Sequence, residues 1–174
     1  MTELVDVYDR DRRPTGRIVP RGSRFGEGEY RLIVHICLFN SRGEMLIQQR
    51  SPEKRSYGGY WDVSAGGHSM AGENSAAAAS RELFEELGLS RDFSHTAPAI
   101  SVFFADGFDD YYIIRSDNAI SDFKVQEDEV SAIRWASLDE IRQMMKTGDF
   151  VPYREAFPAL LFELNEAGCN ILGE

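Results

Sequence analysis

Apolar and polar positions change period several times along the chain, and each change marks an element. Residues 4–9 alternate with period two and pass through the turn-rich Arg10-Asp11-Arg12-Arg13-Pro14-Thr15-Gly16 into a second short alternating segment near Gly16–Val19, which predicts an N-terminal hairpin within residues 1–29. Leu32 to Phe39 is a continuous apolar run of strand length. Asn40-Ser41-Arg42-Gly43 separates it from Met45–Gln49, so the two read as a β-hairpin entering a buried sheet, which Trp61–Ser64 continues. Gly72 to Leu87 has helical periodicity, its alanine run and Leu83, Phe84 and Leu87 supplying a packing face. Strands near Ala99–Phe104 and Tyr111–Arg115 flank a loop, Ala105 to Asp110, and the polar Gln126-Glu127-Asp128-Glu129 leads into a strand ending near Trp135. Ser137 caps a helix running through Lys146, with Glu140 as the second half of a capping box. The last amphipathic helix covers about 152–167, from Pro152 to Glu166, and stops at Gly168. No repeat, low-complexity tract or linker interrupts this order. Mixed strands with helices available for both faces predict an α/β fold, an α/β/α sandwich around a mixed β-sheet, as a single domain over 1–174.

Composition narrows the partners. With 43% hydrophobic residues in 174, the chain can bury a sizeable core and a second domain is not expected. Asp and Glu number 29 against 19 Lys and Arg, for a formal charge of −10, so long-range electrostatics repel nucleic acid and anionic membranes. No run approaches a membrane span, and the N-terminus lacks an apolar segment long enough for a signal peptide. Cys37 and Cys169 form no disulfide framework, which suggests a reducing compartment and a cytoplasmic location. Oligomeric state stays open, a homodimer included.

The densest chemistry lies between Gly67 and Leu89. Glu82, Glu85 and Glu86 fall on one helical face beside Arg81, and three like charges there repel unless a cation sits on them. A hard divalent ion with oxygen ligands, Mg²⁺ or alternatively Mn²⁺, suits such a patch. The competing reading is a surface helix with a solvated acidic face, ended by a C-cap at Gly88.

The full pattern is a Gly, five residues, a Glu, seven residues, then Arg-Glu-apolar-x-Glu-Glu-x-Gly-apolar, filled by Gly67, Glu73, Arg81, Glu82, Leu83, Glu85, Glu86, Gly88 and Leu89. It resembles the signature of the Nudix hydrolases. The resemblance implies the Nudix fold and a metal-dependent cleavage of a diphosphate linkage by water attack on phosphorus. The expected substrate is a small-molecule diphosphate: a nucleoside diphosphate linked to another group, or a related phosphorylated metabolite. It also implies that the Gly67 carbonyl, Glu82, Glu85 and Glu86 hold the ion, with Glu73 and Arg81 as a supporting pair. Some family members take a further acid from a loop as base or extra ligand. Glu127, Glu129, Asp109 and Asp110 are the loop acids here; position along the chain does not choose among them, and Glu129 is the favoured one.

Gln48-Gln49-Arg50-Ser51-Pro52-Glu53-Lys54-Arg55, Tyr60-Trp61-Asp62-Val63-Ser64 and Gly67-His68 resemble the branch that includes isopentenyl diphosphate isomerase and its hydrolase relatives. By that match Arg50 and Lys54 hold the substrate diphosphate. His68 matches a metal-ligand histidine of the isomerases, although a lone His in a Gly-rich loop is more often structural; His35 and His95 read as structural too. Gly66 stands where the isomerase has its catalytic cysteine and has no side chain to move a proton. Hydrolysis is therefore expected over isomerisation, with a nucleotide-binding sensor that has lost turnover as a third reading. Tyr57, Tyr60, Trp61, Phe103, Phe104 and Phe108 are candidates for stacking on a base.

Overall fold

The computed structural model describes residues 2–168. Its elements are β1 (Leu4–Tyr8), β2 (Pro14–Pro20), β3 (Arg31–Phe39), β4 (Met45–Arg50), β5 (Trp61–Asp62), β6 (Ala65–His68), α1 (Ser75–Leu87), β7 (Ile100–Phe104), β8 (Gly107–Arg115), β9 (Val130–Ala136), α2 (Leu138–Thr147) and α3 (Ala156–Glu166). A single 3₁₀ turn, Ile120–Asp122, escaped the sequence reading because it spans only one turn. Cys169 lies outside the described residues.

The apolar run of β3 is continuous because the strand is covered on both faces. It pairs antiparallel with β6 and parallel with β8. Its expected hairpin with β4 is paired at only one position, Phe39 with Met45; β4 then runs on beside β5 and β9. On one face Val34, Ile36 and Leu38 of β3 and Tyr112 and Ile114 of β8 pack beneath Ala78, Ala79, Leu83 and Leu87 of α1. On the other, Cys37, Phe39, Met45 and Ile47 meet Ile141 of α2 and Leu161 and Phe162 of α3. This is the expected sandwich. Burial pushes the Cys37 thiol well up, which keeps it protonated and inert.

Several boundaries moved for physical reasons. The expected loop Ala105–Asp110 is a tight turn followed by the start of β8, because Phe108 and Asp110 alternate inward with Tyr112. Asp110 tolerates this only with partners: Arg12 Nη2 donates to Oδ2 at 2.5 Å, Ser75 Oγ at 2.6 Å, and Ser101 Oγ reaches Oδ1. Ala65-Gly66-Gly67, in the Gly-rich loop expected around His68, forms strand β6. The signature helix starts at Ser75 instead of Gly72, since Asn74 caps it by accepting from Ala77 N at 2.9 Å. The last helix begins at Ala156, later than Pro152.

The capping box of α2 is present. Ser137 Oγ accepts from Glu140 N at 3.3 Å, and Glu140 Oε2 accepts from Ser137 N at 2.8 Å. That backbone donor, with Arg134 and the Ser137 hydroxyl, lowers the Glu140 carboxyl from 4.5 to about 2. A carboxyl lowered in the folded state contributes stability above its unfolded value, and the contribution is lost as pH falls through the folded one. Ser137→Ala is expected to cost about 1 kcal/mol at neutral pH. Glu140→Gln is expected to destabilise at pH 7, with its gap from the parent closing between pH 4.5 and about 2. Denaturant titrations at the two ends of that range check it, and a constant gap would tell against the assignment.

Candidate active site

Strand β6 is the centre of the site because its two glycines open to opposite faces of the sheet. A Cβ on Gly67 would overlap the Glu82 carboxylate, so only glycine lets α1 press its acids against the strand. A Cβ on Gly66 would lie 2.6 Å from the Val34 carbonyl and 3.0 Å from His35 Nδ1. This backbone therefore excludes a cysteine where the isomerases have theirs.

On the α1 face, Arg81 gathers the acids. Its Nε and Nη2 donate to the two Glu73 carboxylate oxygens at 2.8 and 3.0 Å, the bidentate pair expected from the sequence. Nη1 donates to Glu82 Oε1 at 2.8 Å and Glu85 Oε2 at 2.9 Å, and Nη2 also reaches the His68 carbonyl at 2.9 Å. Burial works against the charge of Arg81, but the bonds to Glu73, Glu82 and Glu85 outweigh it and raise its pKa. Burial likewise opposes the charge on Glu73, which Arg81 and the Met70 amide nevertheless hold below the usual range. Glu82 and Glu86 are buried, while Glu85 is half-exposed at the rim. Burial raises Glu82. Burial and then the Glu82 charge push Glu86 up to about 7, against the lowering effect of donors from Gly66 N and Gln48 Nε2, both at 3.0 Å.

The three acids do not form the tight cluster expected from helical spacing alone. Two of them turn onto Arg81, and no group of three His, Cys, Asp or Glu side chains among the described residues is arranged as a ligand set. The donor chemistry still suits a hard cation: all oxygen, two carboxylates buried at a charge they resist, and a strand kept bare at Gly67.

A cavity of about 60 Å³ lies over these acids, and the remaining expected residues divide around it. Glu129 and Lys54 both line it and form an ion pair with each other. Burial lowers the Lys54 pKa although Glu86 works to raise it. The other loop acids are elsewhere: Glu127 is exposed, Asp110 is enclosed beside Arg12, and Asp109 lines a second cleft. Arg50 is in that second cleft too, 3.5 Å from Asp62, so it does not share the acid cavity with Lys54. His68 faces the second cleft; burial and then Arg21 push its pKa down to about 4. His35 faces it as well, stacked on Tyr111, while His95 is exposed in the loop before β7, outside any strand.

Sequence reasoning assigned no role to Gln48, Glu3 or Arg21. Gln48 carried a weak signal, a polar side chain within an apolar strand; it is buried against Glu86. Glu3 and Arg21 come from the N-terminal hairpin to the wall of the acid cavity, and nothing in their local sequence announces it.

A mixed sheet between helical layers, with an Arg81-centred acid cluster against a glycine strand, defines an enzyme of the Nudix fold. The chain belongs to the Nudix family: residues 29–160 match the NUDIX domain family model. It is 40% identical over 162 residues, 93% of this chain and 95% of the relative, to an uncharacterized Nudix hydrolase of Listeria monocytogenes. It is 31% identical over 159 residues, 83% of this chain and 82% of the relative, to an isopentenyl-diphosphate Delta-isomerase of Pectobacterium atrosepticum. Among solved structures, a Deinococcus radiodurans protein shares the fold with a TM-score of 0.73 at 22% identity, covering 92% of this chain and 98% of that one. The protein is a Nudix hydrolase, an enzyme class that acts on small molecules, typically nucleoside diphosphate derivatives, and generally uses divalent metals. No helix among the described residues is long and apolar enough to cross a membrane.

Proposed function

We propose that the protein is a Mg²⁺- or Mn²⁺-dependent hydrolase that cleaves the diphosphate linkage of a nucleoside diphosphate derivative, or of a related phosphorylated metabolite, by water attack on phosphorus. The observation that carries this reading is the burial of Glu82 and Glu86 beside bare Gly67, with the Lys54–Glu129 pair across the same cavity. Glu82, Glu85, Glu86 and the Gly67 carbonyl would hold the ion, with Glu82 and Glu85 turning from Arg81 toward it. When bound, such an ion supplies Lewis acidity toward the diphosphate oxygens and toward water. Glu129 accepts the proton of the attacking water, and Arg81 and Glu73 orient the acid-bearing face of α1. Lys54 meets the diphosphate at the cavity, and Arg50 meets the part of the substrate that enters the adjoining cleft. The nucleotide or phosphorylated alcohol then leaves.

Isomerisation is disfavoured by the same geometry. Moving a proton across an unactivated alkene needs a placed acid and base, and position 66 has neither a side chain nor room for one. The test is incubation of phosphorylated metabolites, isopentenyl diphosphate among them, in ¹⁸O-labelled water with Mg²⁺. Label is expected in a phosphoryl product, turnover is expected to stop in excess chelator, and Mg²⁺ is expected to raise the melting temperature. Full turnover in chelator, or formation of the dimethylallyl isomer, would overturn the reading.

A further inference from the structure

The acid cavity, at about 60 Å³, has room for ions and phosphoryl oxygens but not for the remainder of a substrate. The second cleft, about 490 Å³, adjoins it through Gly66, Gly67 and Arg21 and is in the range that holds a nucleoside-sized group. Its lining mixes aromatic side chains, Tyr57, Tyr111 and Tyr153 among them, with the charged Arg50 and Asp109. Ile33 and His35 of β3 share the cleft face with Asp109 and Tyr111 of β8, as strand alternation and the parallel register require. The His35 ring stacks on Tyr111 with centroids 4.5 Å apart and planes 10° from parallel. Asp109 Oδ1 has no hydrogen-bond partner among the described residues, and His35 Nε2 is 3.6 Å away. An isoprenoid chain laid on this floor would cover the part-exposed Asp109 carboxylate without returning a hydrogen bond, whereas a ring bearing N–H groups offers donors.

At the mouth of the cleft stands Tyr57, 50% exposed and at φ +53°, a left-handed conformation that an aromatic residue rarely adopts. Its loop has no slack to relieve it. A Cβ on the next residue, Gly58, would lie 2.6 Å from the Pro52 carbonyl and 2.8 Å from that of Lys54. Arg50 Nε donates to the Ser56 carbonyl at 3.2 Å, and Ser51 N donates to the Glu129 carbonyl at 2.8 Å. One wound loop thus carries Lys54 to the acid cavity and the Tyr57 ring to the mouth of the cleft, and both are tied to Arg50 and Glu129. Backbone strain of this kind clusters at ligand clamps and active sites, and the Tyr57 ring, edge-on to Tyr60 with centroids 5.8 Å apart, lines the cleft.

We propose that Tyr57 is the stacking wall for a nucleobase seated in this cleft and is a specificity-determining residue of the enzyme. The proposal rests on the hydrolase reading for the position of the diphosphate.

The test is direct binding of an α,β-methylene nucleoside diphosphate, which cannot be hydrolysed at its bridge, compared with methylenediphosphonate, which has no base. Titration calorimetry in Mg²⁺ is run on the full chain and on Tyr57→Gly and Tyr57→Phe. The glycine variant is expected to bind the nucleotide analogue about tenfold more weakly, as loss of one stacking partner implies, and methylenediphosphonate as the parent does. Tyr57→Phe is expected to bind both as the parent does. Because glycine accepts the left-handed backbone, the melting temperature of Tyr57→Gly should hold or rise, which a merely structural tyrosine would not allow. Unchanged nucleotide affinity in Tyr57→Gly, or equal weakening toward methylenediphosphonate, would overturn the proposal. The hydrolase reading fails separately, in turnover: Tyr57-dependent binding without hydrolysis of any diphosphate would sink that reading and leave this one standing.

Discussion

Glu86→Gln is expected to lower hydrolysis by at least about a hundredfold on any substrate the enzyme accepts, without weakening the fold. Gln retains the shape of the side chain and an oxygen to accept from Gly66 N and Gln48 Nε2. What it removes is a negative charge that burial and the neighbouring Glu82 already disfavour. In the absence of metal the variant should therefore melt at the same temperature as the parent or higher, the reverse of most core substitutions. With Mg²⁺ added, the parent should gain stability and the variant should gain less. Steady-state kinetics together with melting curves at several Mg²⁺ concentrations check both halves. Parental turnover in Glu86→Gln would place the acid cluster outside the chemistry.

The largest expected loss of stability lies far from those acids in sequence. Arg12→Ala leaves the Asp110 carboxylate, fully enclosed in β8, with hydroxyl donors from Ser75 and Ser101 but no cation. Removing one partner of a fully buried pair costs about 3–5 kcal/mol; with Arg12 31% exposed and screened by solvent, the loss here is expected to be about 2 kcal/mol. Asp110→Asn in the Arg12→Ala background should recover part of that loss, because the uncompensated charge goes with it. Denaturant midpoints of the single and double variants measure the coupling, and an Arg12→Ala protein as stable as the parent would show that Asp110 is neutralised some other way. Ser75 is the first residue of α1, so the damage should extend to the helix that carries the acids.

How much of this was legible follows from how local each relation is. The spacing of Glu82, Glu85 and Glu86 is a property of one helix, so period placed them on one face; that Arg81 draws Glu82 and Glu85 onto itself depends on side-chain packing, and the pairing of Glu73, which precedes the helix, followed from the resemblance. Glu129 was favoured among four loop acids, and it is the one of the four that lines the acid cavity. Asp109 and Asp110 looked like loop residues because adjacent charges argue against a buried strand. The compensating Arg12 is 98 positions away, a separation that no window reveals. Gly66 and Gly67 looked like part of a Gly-rich loop for a similar reason: the atoms that require glycine there, on Val34, His35 and Glu82, belong to other elements. The separation of Arg50 from Lys54 depends on the winding of the loop between them, which residue identity alone does not specify.

The hairpin of β1 and β2 lies wholly before residue 29, where the family match begins, and the match ends at residue 160, partway along α3. Yet the hairpin and its flanks supply Arg12 to Asp110, place Glu3 and Arg21 at the acid cavity, and hold the turn before α1 through a bond from Ala71 N to the Leu4 carbonyl at 2.9 Å. The segment shared across the family is therefore not a unit that can be excised. A fragment trimmed to those limits would strand a buried anion, strip one wall from the cavity and cut a helix in two, so homology limits are the wrong guide for shortening this chain.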